Sequence, residues 1–85
     1  MTLEKWEKFG KRDQIGHIGA EILRASQNND SDLRKAILEK ALGFVDLSLQ
    51  DKKWLENPLM LLVLRNALAE AYLGEENLNQ IYAIL

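Results

Sequence analysis

Residues 57–74 read Asn57-Pro58-Leu59-Met60-Leu61-Leu62-Val63-Leu64-Arg65-Asn66-Ala67-Leu68-Ala69-Glu70-Ala71-Tyr72-Leu73-Gly74. The apolar run 59–64, taken alone, suits a buried strand. Its continuation does not, because Ala67, Leu68, Ala69, Glu70, Ala71 and Leu73 are strong helix formers. The flanks agree with the continuation. Asn57-Pro58 is a helix start, with Asn as the cap and Pro at the first helical position, and Gly74 suits the residue just past the end. The sequence therefore predicts a helix over 58–73. Only Arg65, Asn66 and Glu70 are polar in it, so burial on nearly every side is expected.

Upstream, residues 50–57 are charged, with Trp54 and Leu55 as apolar anchors. A helix is predicted over 31–50, capped by Asp30 or Ser31. Its core stripe is Leu33, Ile37, Ala41, Phe44 and Ser48, and a second stripe, Leu38, Leu42, Val45 and Leu49, runs beside it. Together they cover more than half the circumference, which calls for a central position or contact with another chain. The polar run Gln27-Asn28-Asn29-Asp30-Ser31 separates this helix from one predicted over 11–27. There Ile15, Ile18, Ile22 and Ala25 share an arc flanked by Leu23, with His17, Glu21 and Arg24 opposite. Gly16 and Gly19 edge that arc, where a close neighbouring helix or a kink would explain them. Thr2 and Gly10 bracket a short helix over 2–9 that turns Trp6 and Phe9 the same way. Downstream, Glu75 and Glu76 open a last helix over 76–84 with Leu78, Ile81, Tyr82 and Leu85 on its apolar face.

The expected fold is all-α: one domain, residues 1–85, built as a small bundle of four to five helices that dimerises. Apolar heptads do not persist, which excludes a long coiled coil. Trp6 and Ala36 do not recur at the offsets of a 34-residue helical repeat.

The chain has 85 residues, 47% hydrophobic and 28% charged, with no cysteine and a net charge of −2. This balance excludes disorder. The missing cysteines remove disulfides, thiolate metal sites and a cysteine nucleophile, and point to a reducing cytoplasm. No signal-peptide core is evident at the N-terminus, and no apolar run approaches the ~20 residues a membrane span needs. The basic residues Lys5, Lys8, Lys11 and Arg12 are interleaved with Glu4 and Glu7, so the charge argues against nucleic acid. One His without Cys or a Glu-x-x-His pair implies no metal site. The glycines make no phosphate-binding fingerprint, so no cofactor is expected. No small-molecule substrate is evident. Trp6, Trp54, Tyr72 and Tyr82 fall on or beside apolar stripes and read as core or interface.

One constellation carries chemistry. Arg12-Asp13-Gln14-Ile15-Gly16-His17 places a His five positions after an Arg, with a polar residue after the Arg. It resembles the Arg-x4-6-His motif of HEPN-type helical ribonucleases. The resemblance implies Arg12 and His17 as catalytic candidates, converging across a homodimer on an RNA phosphodiester. Imidazole is suited to proton transfer near neutral pH, and a guanidinium stabilises charge on phosphoryl oxygens. The bland reading makes His17 a surface group beside Glu21 and Arg24.

Three functional expectations follow. The first is a non-enzymatic interaction module, a homodimer whose interface draws on Leu38, Leu42, Val45, Leu49, Leu59, Leu62 and Val63. The second is a small ribonuclease using Arg12 and His17. The third is a regulatory partner of a larger protein, with the apolar face meeting a different chain.

Overall fold

The computed structural model describes residues 1–74 together with Leu78, Ile81 and Leu85. Among the described residues the chain is all-helical, with the order α1 (Leu3–Trp6), α2 (Lys11–Ser26), α3 (Ser31–Gln50), a 3-10 turn (Lys52–Trp54) and α4 (Leu59–Tyr72). None of these helices is long and apolar enough to cross a membrane.

Local chemistry sets the boundaries. The Thr2 hydroxyl accepts from the Lys5 amide at 3.3 Å and caps α1. Asp30 caps α3 by accepting from the amides of Asp32 (3.0 Å) and Leu33 (3.1 Å). Gly74 takes φ +84° just past α4, a left-handed conformation that costs glycine nothing. α1 is shorter than the predicted 2–9, and Gly10 serves as the N-cap of α2. Pro58 occupies the cap of α4, so that helix begins one residue later than predicted. The predicted helix 76–84 lies largely outside the described residues, as does Tyr82. Leu78 and Ile81 are described, and both are buried.

The hub is α3, which packs against α2 and α4 and touches α1 and the 3-10 turn, while α2 and α4 share little contact with each other. Its two apolar stripes therefore reflect a central position. Ile37, Leu38, Ala41, Phe44 and Val45 are all core residues. Leu33, the first residue of the expected stripe, is exposed because it lies in the first turn, ahead of the buried residues. α2 contributes Ile18, Ile22 and Ala25 to the core, with Ile15 half-buried against it and Leu23 exposed.

Two expectations are corrected. First, α4 is not buried on nearly all sides. Leu61, Leu64, Leu68 and Ala71 face the core, whereas Leu59, Leu62 and Val63 stand in solvent. At 100° per residue the buried set spans an arc of roughly 80°, opposite the exposed set. Among the described elements α4 has α3 as its principal neighbour, and one neighbour covers one face. Leu55, expected as an anchor, is also exposed. Second, Glu21 is not on a polar face but is buried on α2, where Arg24 (2.9 Å) and Lys40 of α3 (3.1 Å) compensate its charge. A Cβ at Gly16 would meet open space, so close helix packing does not account for that glycine; Gly19 is buried.

The side chain of Leu64 is fully enclosed. Leu64→Ala is expected to lower the unfolding free energy by about 2–5 kcal/mol. Urea denaturation followed by circular dichroism would measure it, and a change below 1 kcal/mol would contradict the orientation of α4.

Candidate functional site

Among the described residues, a buried polar network, a depression beside α2 and the outer face of α4 bear on function.

The network begins with Gln14, whose side chain is fully buried on α2. Its Nε2 donates to the Trp6 carbonyl (3.0 Å) and to Asp51 Oδ2 (2.8 Å). Its Oε1 accepts from Trp54 Nε1 (2.7 Å). Both donors and the acceptor of the amide are thus used. Asp51 Oδ1 accepts from the Lys53 amide at 3.0 Å, and Asp51 Oδ2 pairs with Lys53 Nζ at 2.8 Å. Lys53 Nζ also donates to the Glu7 carbonyl at 2.8 Å. Beside this, Trp6 Nε1 donates to Ser48 Oγ (2.9 Å), which donates in turn to the Phe44 carbonyl (2.9 Å). Among the described residues no buried side-chain polar atom lacks a partner. Because every group is satisfied and Asp51 is enclosed, the network acts as a clamp, not as a reactive centre.

Sequence reasoning placed Ser48 and Trp54 inside but missed Gln14 and Asp51. A signal was available. Each of the two Trp residues carries an indole N–H that needs an acceptor when buried, and a small core must supply that acceptor from a polar side chain.

The depression, about 480 Å³ in volume, is open and lined by Phe9, Arg12, Asp13, Gly16 and His17. It brings the two catalytic candidates, Arg12 and His17, to one place within a single chain. The His17 ring lies 4.7 Å from Phe9, 5.9 Å from Trp6 and 6.3 Å from Phe44, centroid to centroid. Trp6 stacks on Phe44 at 4.8 Å with the planes 9° apart, so a rigid aromatic cluster carries the imidazole. His17 is exposed, as the bland reading expects, but its neighbours differ: Glu21 and Arg24 pair with each other, and His17 packs on rings. Arg12 is exposed and has no ion-pair partner among the described residues. Its guanidinium is free to meet an anion, although Asp13 on the same rim would oppose one.

The remaining candidates divide between inside and outside. Leu38 and Val45 are enclosed in the chain's own core, which removes them from any surface a second chain could reach. Leu42 and Leu49 are half-buried against that core. Leu59, Leu62 and Val63 are exposed on one face of α4. Tyr72 is half-buried, and its hydroxyl donates to Glu39 Oε1 at 2.9 Å. That hydrogen bond, with the carboxylate's charge, raises the phenol above its ordinary value. Asp46 holds Arg65 of α4 at 2.6 Å. Among the described residues no three His, Asp or Glu side chains are grouped as metal ligands.

Comparison with protein-family models, with curated proteins and with solved structures finds no match to this chain.

Asp51 generates a pH prediction. Burial pushes its carboxyl up, but hydrogen bonds from the Lys53 side chain, the Lys53 amide and Gln14, with the Lys53 charge, outweigh burial and hold it below its ordinary value. A carboxyl lowered on folding contributes stability above its unfolded value of about 4, and that contribution is lost as pH falls through the folded value. Urea midpoints are expected to drop as pH falls below about 4 in the wild type. Asp51→Asn should be less stable near neutral pH and show a shallower acid limb. An identical acid limb in the variant would remove Asp51 from this role.

Proposed function

We propose that the protein is a non-enzymatic helical interaction module that self-associates as a homodimer through the outer face of α4. One observation carries the reading: α4 is apolar on two opposite faces, and among the described residues α3 packs against one of them. Leu59, Leu62 and Val63 are 66%, 50% and 47% exposed, and Leu73, just past the helix, is 71% exposed. Their apolar surface is on the order of 400 Å², within the range of the largest patch on a monomer. A standard interface buries roughly 800 Å² per partner, about 65% of it apolar at the centre. The α4 face would supply the larger part of that apolar surface, and a second copy presenting the same face would cover it. Two-fold pairing is also the commonest closed arrangement for such a patch.

A second reading has its own observation. Arg12 and His17 line one depression, an arrangement that a phosphodiester-cleaving pair requires. Under that reading His17 transfers the proton and Arg12 meets the phosphoryl oxygens.

Size-exclusion chromatography with light scattering, across a concentration series, tests the first reading. The wild type is expected to run as a dimer. Leu62→Glu should run as a monomer with the same helical circular dichroism, because the side chain is half-exposed and its replacement leaves the core intact. A wild type that stays monomeric at the highest concentration sinks the homodimer and makes a different chain the occupant of this face. For the second reading, RNA cleavage is expected from the wild type and not from His17→Ala; cleavage that survives His17→Ala ends it.

A further inference from the structure

Where the first half of α3 meets the end of α4, the two helices border a cavity of about 430 Å³. Small-molecule sites run from roughly 300 to 1,000 Å³. The lining is of two kinds. Leu38 and Ala71, both buried, are apolar, and Tyr72 adds a ring beside them. Arg34 and Lys35 bring two positive charges to the same space. The carboxylates nearest to them in sequence, Asp30, Asp32 and Glu39, are not among the lining residues.

Arg34 is the informative member. Among the described residues two cationic side chains are half-buried, Lys53 and Arg34. Lys53 has the Asp51 carboxylate at 2.8 Å. Arg34 has no side-chain hydrogen bond, ion pair or ring contact. Withdrawing a charge from water costs free energy unless an opposite charge offsets the loss. The fold offers Arg34 no such charge, and the cavity is open to one from outside. Lys35 is placed differently. Its Nζ lies 5.6 Å from the centroid of the Tyr72 ring, and the Tyr72 hydroxyl donates to Glu39 at 2.9 Å. The ring is thus held by its face and by its hydroxyl, which makes it a fixed wall.

We infer that this cavity binds a small organic carboxylate, its anionic head on Arg34 and its apolar body against Leu38, Ala71 and Tyr72. The planar guanidinium fork presents two parallel N–H donors, the match for a carboxylate's two oxygens. Lys35 adds a second charge at the same mouth. Both halves of the lining are then used. Inorganic phosphate gains nothing from Leu38 and Ala71, and a neutral molecule of the same shape leaves Arg34 without a partner. The site is independent of self-association, because Leu59, Leu62 and Val63 lie on the other face of α4.

The test is a titration of the isotope-labelled full chain with sodium benzoate through the millimolar range, followed by amide NMR at constant ionic strength. Saturable shifts are expected, confined to the amides of residues 31–38 and 71–74. Arg34→Gln should bind benzoate about tenfold more weakly, the loss of one charge-assisted hydrogen-bonded pair. Its helical circular dichroism should be unchanged, since the side chain has no partner to lose. Lys52→Gln, a change of the same charge on the distant 3-10 turn, should leave the affinity as it is. Arg34→Lys, which keeps the charge without the fork, should also bind more weakly than the wild type, and it serves as the readout if Arg34→Gln does not fold. Absence of saturable shifts overturns the site. So does an equal response to benzyl alcohol, or to sodium phosphate, or an affinity that survives both changes at Arg34.

Discussion

The Gln14 amide ties α2 to the end of α1, eight residues back, through the Trp6 carbonyl, and to the 3-10 turn and its cap, some 40 residues on, through Trp54 and Asp51. Such an arrangement is demanding. A buried amide with one missing partner costs on the order of 1–3 kcal/mol, and a buried carboxylate with none costs more. The satisfied version therefore tolerates no slippage of α1 or of the turn that follows α3. The consequence reaches the surface. Because Gln14 fixes the Trp6 backbone, the Trp6 ring is held flat on Phe44, and His17 and Phe9 inherit their positions from that stack. α1 has only four residues, and it is tied to α3 by the Trp6–Ser48 hydrogen bond and the Trp6–Phe44 stack.

Much of the architecture was legible because it depends on neighbours in sequence. Thr2, Asp30 and Gly74 each act within about one turn of helix, so capping chemistry located three helix ends without knowledge of the tertiary fold. The double stripe on α3 was legible for a related reason. An apolar arc wider than one packing face demands two neighbours, and α3 has α2 and α4. Gln14 and Asp51 were not legible as core, because their burial depends on meeting each other across 37 positions of chain. Periodicity classes a polar residue as outside, and a satisfied polar pair is the case that rule cannot see.

α4 departs from its sequence pattern for the opposite reason. Apolarity on every side implies burial on every side only where there is enough protein to provide it. A chain of this length encloses only about 60–65% of its unfolded surface. Among the described elements, α4 has one principal neighbour, α3. The surplus apolar residues Leu59, Leu62 and Val63 do not add to the chain's own core, and the Leu61, Leu64, Leu68 and Ala71 face would hold α4 in place without them. The exposure of these residues follows from the shortage of chain to cover them: a helix apolar on both faces needs a neighbour on each.

The two functional readings constrain each other. In the helical ribonucleases that the Arg12–His17 spacing resembles, Arg and His converge across a homodimer, so the two-fold axis must pass near them. Here Arg12 and His17 stand on α2, and α2 and α4 occupy different flanks of α3 with little contact between them. A two-fold axis on the outer face of α4 therefore leaves each copy's depression on its own far flank, not facing the other. An α4-paired dimer and a catalytic centre shared between copies cannot be the same assembly. If the chain cleaves RNA as an α4 dimer, each depression must work alone, with a single Arg12 and a single His17. The self-association reading meets no such conflict, because it uses surface that neither the core nor the depression employs.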